Sequence, residues 1–406
     1  MLKKLKRMAL GASTALTVAS AAIAGPYDAY DGTTLVVNFP AHPHYNAVMK
    51  ILPEFTKETG IEVEVDQLPY LKMRERQTLE LGQDEGDYDL IAYVVFSKAD
   101  YVYADQLENL ARYFMNPKLA DPSYDADDLI DGYVYNIGFA GGNKGYLQGK
   151  SGSLFGMPYG SETSVLGYRK DIFEKHGLSV PETYAEMLDI ACKIPQLEPG
   201  MGGLSSRAAS GHHAAHAFLL HLAPLGGRIF DDAWNPIVNN KAGVQAANAL
   251  KKIIDCGPEG AASFGFGEAL GSFLNGDTAM FLDTTVVAGQ IDDASKSKVV
   301  GKVGWAMHPE GVRRGSQTGG FGIGIPKNAE NKEAAFLLMQ WLTSKTSDKL
   351  VAMAGGNPPR FSTHADADVN AKFPHMATFG EALKHADPDW RPIIPVGARS
   401  TPIWAP

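Results

Sequence analysis

Cysteine is nearly missing from this chain: only Cys192 and Cys256 occur in 406 residues. Two thiols alone cannot build a structural zinc site, which takes more ligands. Both fall on stretches that read as helix, so a single disulfide and a pair of buried free thiols stand as alternatives. Positive charge is the next shortage. With 37 Lys and Arg against 46 Asp and Glu, the net charge is −9, a balance that argues against nucleic acid or an anionic membrane as partner. Beyond the N-terminal leader no apolar run approaches the roughly 20 residues of a membrane span. The short signatures of catalysis are missing too: no Gly-x-Ser-x-Gly elbow, no His-Glu-x-x-His pair and no Walker loop occurs. Gly320-Phe321-Gly322-Ile323-Gly324 is glycine-rich but lacks the dinucleotide-binding spacing, and reads as a strand packed tightly at a junction.

What is present begins with that leader. Lys3, Lys4, Lys6 and Arg7 precede a small apolar run that closes on Ala22-Ile23-Ala24, the small-x-small pattern read by signal peptidase. Residues 1–24 are expected to be a signal peptide cleaved after about Ala24, with Ala19-Ser20-Ala21 as a second candidate cut, and the mature protein to be exported. No cysteine sits at the junction, so no lipid anchor is expected. Without the four leader cations, 33 (37 − 4) basic residues face 46 acidic ones, a net charge of −13. The remaining length, 45% apolar with 43 glycines, suffices for two globular domains with buried cores.

From Leu35 onward strands alternate with helices, the pattern of an α/β protein whose parallel sheets carry helices on their faces. Leu35 to Phe39 reads as an apolar strand. Val48, Ile51, Leu52 and Phe55 then recur at helical spacing, with Pro53 kinking or delaying the helix and Gly60 ending it. Ile61, Val63 and Val65 alternate with acidic residues as a second strand, 70–81 reads as an amphipathic helix, and Tyr88 to Val94 as a third strand. Ligands of open α/β sheets bind beyond the carboxyl ends of the strands, which puts Asn38 to His44 and Tyr93 to Lys98 at the rim of a cleft. The segment from Phe155 to Phe173 is the most informative. A polar, glycine-bearing stretch, Met157-Pro158-Tyr159-Gly160-Ser161-Glu162, runs into the apolar alternation of Val165-Leu166-Gly167-Tyr168 and directly into a helix. It reads as one strand crossing between two bodies, its polar side chains satisfied by a ligand instead of a core.

Residues 155–173, with the "gdYDLI" block around Tyr88, resemble the family 1 extracellular solute-binding proteins of ABC importers, although Arg169 stands where that family usually has Asn or Asp. Pro181-Glu182-Thr183-Tyr184, Leu225-Gly226-Gly227-Arg228-Ile229-Phe230-Asp231, Phe273-Leu274-Asn275-Gly276 and Asn357-Pro358-Pro359-Arg360 are similar to further blocks of the family, so the resemblance runs from about Leu35 to Pro406. It implies a two-lobed periplasmic binding protein fold with interleaved lobes joined by hinge strands. Lobe one is expected at residues 25–160 and 284–326, with Trp305 in one of its strands, and lobe two at 161–283 and 327–406. It further implies no enzyme activity, no cofactor, a monomer, and two partners: a small carbohydrate or polyol, and the permease subunits of an ABC transporter in the inner membrane. Members of the family usually continue past a C-terminal stacking tryptophan into a closing helix, whereas this sequence stops at Pro406.

A sugar presents an apolar C–H face and a rim of hydroxyls, so its site calls for a flat ring and planar polar groups. Tyr159 and Glu162 on the crossing strand supply one of each. Tyr93 and Phe96 follow the third strand, with core packing as their alternative, and His44 lies on the rim after the first. Asp283 and Thr285 follow the strand at 279–282, where they either cap a helix or face a ligand. The resemblance adds four candidates. Arg207 and Arg360 can hold a hydroxyl pair or a carboxylate, with a salt bridge and a bracing role as their alternatives. His213 can bond ligand hydroxyls, and Trp404 can stack on a ring. His212, His213, His216 and His221 form a cluster in which His212 and His216, four apart, share a helical face, but zinc would also want a third ligand and a carboxylate in reach, and surface or helix-cap histidines are the expectation.

The expected function is therefore a periplasmic solute-binding component of an ABC importer, whose cleft closes on a sugar, an oligosaccharide or a sugar alcohol. Two rivals remain. An exported glycoside hydrolase would use Glu162 and Asp283 as its carboxylate pair, about 5 to 10 Å apart. The same binding fold could instead carry a polyamine, a metal chelate or a sugar acid. Polyamine binding would require several cleft carboxylates, and a sugar acid would require Arg207 or Arg360 to face inward.

Overall fold

A computed structural model of the chain describes residues 25–141, 152–231, 233, 235–391 and 393. The expected signal peptide and Trp404 lie outside these residues. Strands β1 (Thr34–Pro40), β2 (Glu62–Leu68), β3 (Leu90–Val94), β4 (Met157–Glu162), β5 (Ser164–Arg169), β6 (Gly202–Ser205), β7 (Thr278–Thr284), β8 (Val303–Met307) and β9 (Gly319–Gly324) form two principal sheets. The first has the order β2-β1-β3-β9-β4 and the second β8-β5-β7-β6. In the first, β1 runs parallel to β2 and β3, while β9 is antiparallel to β3 and β4. Helices cover both sheets, giving the two-lobed α/β architecture expected.

Local chemistry sets the element ends. Pro53 does not kink one long helix but separates two, Pro43–Met49 and Leu52–Thr59, sitting in the first turn of the second where its missing N–H costs nothing. Gly60 ends that helix at φ 72°, a left-handed conformation a β-carbon would disfavour. Thr183 caps the helix Tyr184–Leu197 in a reciprocal box with Glu186.

One strand crosses between the lobes as read: β4 pairs in the first sheet, Thr163 follows, and β5 pairs in the second. Thr163 is fully buried, and its backbone exchanges bonds with Thr285, whose N donates to the Thr163 carbonyl at 2.9 Å. The return crossing lies elsewhere than expected. Val303–Met307 hydrogen-bonds antiparallel along Arg169 to Val165, so Trp305 belongs to the second sheet and the chain stays in lobe two well past residue 284. It recrosses at Gln317 and Thr318, just before β9. The assignment of 327–406 wholly to lobe two is also corrected. The helix Lys332–Leu342 is buried along most of its length in the core of the first lobe, where Trp341 packs on Phe55 with ring centres 5.3 Å apart and donates to Glu58 at 2.7 Å. Its apolar residues occur all round the helix, which suits a fully enclosed position.

The two cysteines are joined in a disulfide that ties the helix Tyr184–Leu197 to the end of the helix Lys241–Asp255, with the Cα atoms 4.9 Å apart. Lobe two also holds a buried polar chain. The Tyr184 hydroxyl bonds His221 Nδ1 at 3.0 Å and His308 Nε2 at 2.8 Å, and His308 Nδ1 bonds Ser164 Oγ at 2.7 Å. Burial pushes His221 down to about 4 and His308 to about 3, so both are neutral at pH 7.

Two outcomes are expected. Replacing both cysteines by alanine should lower stability by about 2–4 kcal/mol, because the bridge closes a long loop of the unfolded chain; an unchanged denaturant midpoint would refute this contribution. The buried histidines set a pH dependence. Their folded pKa values lie below the unfolded 6.5, so the unfolded chain binds more protons and the stabilisation, complete above pH 6.5, is lost as pH falls toward 4. Thermal midpoints should decline through that window, and more shallowly in a His221→Gln, His308→Gln double variant. A variant slope as steep as the parent's would exclude these residues as the cause.

Candidate functional site

The carboxyl ends of β1, β3, β6 and β7 meet across a cleft between the lobes, and a continuous strip of polar and aromatic side chains spans it. The strip begins at the crossing strand. Glu162, at the end of β4, accepts from Thr284 Oγ1 of lobe two at 2.8 Å and lies 3.1 Å from His42 Nε2 of lobe one. A single carboxylate thus joins both bodies at the hinge. Next to Thr284, Asp283 receives a fork from Arg207, with Nε and Nη2 each 2.7 Å from a carboxylate oxygen. Burial alone would push the Asp283 carboxyl up, but the Arg207 charge and the contact with His216 override it and hold the group well below the usual carboxylate range. The Arg207 guanidinium also lies over the Phe266 ring, 4.5 Å from its centre.

His216 continues the strip. Its Nε2 is 3.7 Å from Asp283 and its Nδ1 is 3.3 Å from Arg391, while its ring meets Trp390 edge-on. Burial, then the charge of Arg207, keep it neutral at about 3. His212, one turn earlier, is held at about 4 by burial and by Arg391 and Arg207. Arg391 then reaches lobe one, stacking over Phe96 at 5.5 Å, and Arg74 lies over the same ring at 5.4 Å. Tyr70 completes the lobe-one wall, its ring 6.5 Å from Phe96.

The sequence-based candidates divide on this geometry. Phe96, Glu162, Arg207 and Asp283 stand in the strip. His213 lies beside it, its ring centre 5.6 Å from that of His212, with Nδ1 buried and unbonded. Tyr159 does not join Glu162: the strand is bulged between them, with a register shift against β9 and Gly160 at φ 89°, and Tyr159 is fully buried in the lobe-one core against Tyr45 and His44. His44 is itself buried there, its Nδ1 accepting from the Asn357 backbone at 3.0 Å. Tyr93 also turns inward. Its hydroxyl donates to the Ile137 carbonyl at 2.9 Å, and its ring fills the space left by Gly156, Gly322 and Gly324, which explains the glycine-rich β9. Thr285 is a buried hinge staple bonded to Thr163. Arg360 is a brace: fully buried, it donates to the carbonyls of Thr343, Asp125 and Tyr124 and to Asp128. Trp404 lies outside the described residues.

Tyr70, Arg74, Phe266, Trp390 and Arg391 were not anticipated, whereas His42 falls in the rim segment Asn38 to His44 and Thr284 in the polar stretch after the strand at 279–282. Tyr70 and Arg74 carried a signal, since they are four apart at the start of the helix that follows β2 and therefore sit at the carboxyl end of the sheet. Trp390-Arg391 carried none, because its place depends on how the last helices fold back.

The arrangement bears on both rivals. Both oxygens of Asp283 are held by Arg207, so this carboxylate has no proton to give a glycosidic oxygen. A polyamine would meet a cleft in which arginines outnumber carboxylates. Among the described residues no group of three or more His, Cys, Asp or Glu is placed to hold a metal, and no helix is long and apolar enough to cross a membrane.

Comparison with known proteins agrees with the fold. The chain is 29% identical over 339 residues to the mannitol-binding protein of Pseudomonas aeruginosa, covering 80% of this chain and 72% of that protein. Its structure is similar to that of an ABC transporter solute-binding protein from Agrobacterium radiobacter K84 in complex with ribitol, with a TM-score of 0.78, 26% identity and 92% of each chain covered. It is also similar to one from Agrobacterium vitis S4 with bound D-mannitol, with a TM-score of 0.70, 27% identity, and 89% and 86% covered. The model of the bacterial extracellular solute-binding protein family matches residues 41–349, most of the chain, and the protein belongs to that family.

Proposed function

We propose that this protein captures a small polyhydroxylated solute, a sugar alcohol or sugar, between its lobes in the periplasm and delivers it to the permease of an ABC importer without altering it. The observation that carries this reading is the strip running from His42 and Glu162 through Asp283, Arg207 and His216 to Phe96. It alternates flat rings with planar hydrogen-bonding groups, and its members come from both lobes. Hydroxyls pair with such groups, and the C–H faces between them lie on rings. The mannitol-binding relative and the ribitol- and mannitol-bound structures support the choice of a linear polyol over a longer saccharide.

Closure follows from the same geometry. A solute touching Arg207 and Asp283 on one lobe and Phe96 and His42 on the other gains both sets of contacts only when the lobes meet, so it shifts the open–closed equilibrium by that difference. Glu162 marks where the two walls hinge. No bond of the solute is made or broken in this cycle.

A thermal-shift screen of the mature protein against alditols, sugars, amino acids and polyamines tests the assignment. A specific ligand at 100 times its Kd should add about 2.7 kcal/mol, and polyhydroxylated compounds should be the class that does so. Asp283→Asn should abolish that shift, because it breaks the fork that aims Arg207 into the cleft. Stabilisation by amino acids or polyamines alone would defeat the assignment.

A further inference from the structure

Arg391 and Arg74 differ from the other arginines near the cleft and hinge. Arg169, Arg207 and Arg360 each hold a carboxylate, and so do Arg76 and Arg112 on the surface. Arg391 and Arg74 hold none among the described residues, and both converge on one ring, Phe96, at 5.5 and 5.4 Å from its centre. Arg391 is further packed over Trp390 at 4.7 Å, and its hydrogen-bonding contact among the described residues is a neutral imidazole, His216 Nδ1 at 3.3 Å. Two carboxylates of the strip are already committed: Asp283 to Arg207, and Glu162 to Thr284 and His42.

We infer that Phe96, Arg74 and Arg391 form an anion subsite at one end of the cleft, and that the preferred cargo is a sugar acid of the aldonic type, a polyol chain carrying one carboxylate. The inference rests on the reading that the cleft binds a polyhydroxylated solute, and adds charge to it. Three guanidinium groups, those of Arg74, Arg207 and Arg391, face the middle of the strip, and Asp283 cancels only one. A partly buried cation without a counter-ion is unfavourable, and here it is made worse by a like charge: burial and then Arg207 lower Arg391 to about 10, which still leaves it charged at neutral pH. Alditol hydroxyls can accept hydrogen bonds from these groups but cannot neutralise them. A carboxylate does both, and a planar guanidinium matches its two oxygens. The remaining polar groups, His212, His216, Asp283 and Glu162, continue away from Phe96 and suit a chain of hydroxyls. Arg74 belongs to lobe one, while Arg391 bonds His216 of lobe two. Closure therefore brings like charges together, and an anion favours the closed form through a term that no neutral ligand supplies.

Calorimetric titration with matched pairs, D-mannitol against D-mannonate and ribitol against D-ribonate, tests this. The acid of each pair should bind at least about 10-fold more tightly, and the preference should shrink at high chloride. Arg391→Gln and, separately, the solvent-side Arg74→Gln should each reduce the acid's affinity more than the alditol's, with the circular dichroism spectrum unchanged. An alditol that binds as tightly as its acid overturns the inference and leaves the polyol reading standing. So does equal weakening of both ligands in the two variants. If a sugar phosphate binds and the aldonates do not, the carboxylate assignment is wrong. If neither member of any pair binds, the polyhydroxylated-solute reading itself fails, and the subsite falls with it.

Discussion

One strand must satisfy two sheets. From Met157 to Glu162 its backbone bonds β9 in the first lobe, and from Ser164 to Arg169 it bonds β7 and β8 in the second. Thr163, between the two registers, is fixed by Thr285 and by the Ser316 hydroxyl at 2.7 Å. A bulge at Gly160, which sits at φ 89° where the register against β9 shifts, breaks the simple alternation of side chains, so Tyr159 is buried in the lobe-one core while Glu162 meets His42 and Thr284. The placement of Glu162 is thus a consequence of sheet geometry before it is a matter of ligand chemistry. The same constraint brings Thr284 within reach of Glu162, since β7 is aligned on β5 with Ser164 opposite Thr284.

Electrostatics then divides the cleft into two unlike ends. Near the hinge, Glu162 and Asp283 are each matched by groups that hold them in place, and their strong, directional acceptors are oriented before any ligand arrives. Toward Phe96, Arg74 and Arg391 have no carboxylate partner among the described residues. The histidines between the ends, His212 and His216, are kept neutral by burial and by those same arginines, so they act as hydrogen-bonding groups and not as additional cations. A pocket arranged this way distinguishes the two ends of a linear molecule, which a symmetric row of hydroxyl-binding groups would not.

The elements built from near-neighbour chemistry were legible in the sequence. The opening strand–helix alternation, the stop at Gly60 and the crossing strand all follow from periodicity and backbone preference, and the structure has each of them. The failures share a cause. Tyr159 was given a ligand role for its place on the crossing strand, and Tyr93 and His44 for theirs at the rim, but direction and depth depend on what packs behind them, and here glycines in β9 make room for Tyr93 while Asn357, from far along the chain, bonds His44. Trp305 and the helix Lys332–Leu342 changed lobes for a related reason: which sheet an apolar segment joins is set by long-range pairing, and its own composition suits either. For the cysteines, sequence alone left two states open, and only the proximity of two helix ends decided between them.

Arg360 and Arg391 illustrate how one residue type takes opposite roles in this fold. Arg360 has its donors filled by three carbonyls and Asp128, and its ring-like guanidinium lies over Tyr124. Four of its five N–H groups are used and the side chain is fully buried, so it braces. Arg391 also lies over aromatic rings, but among the described residues its polar contact is a single imidazole, His216. Stacking is common to both and therefore does not discriminate; the count of satisfied donors does. By that criterion Arg207 is intermediate, since its fork to Asp283 uses Nε and Nη2 and leaves Nη1 without a partner among the described residues. This makes it a positioned donor for a hydroxyl, and assigns the recognition of net charge to the pair around Phe96.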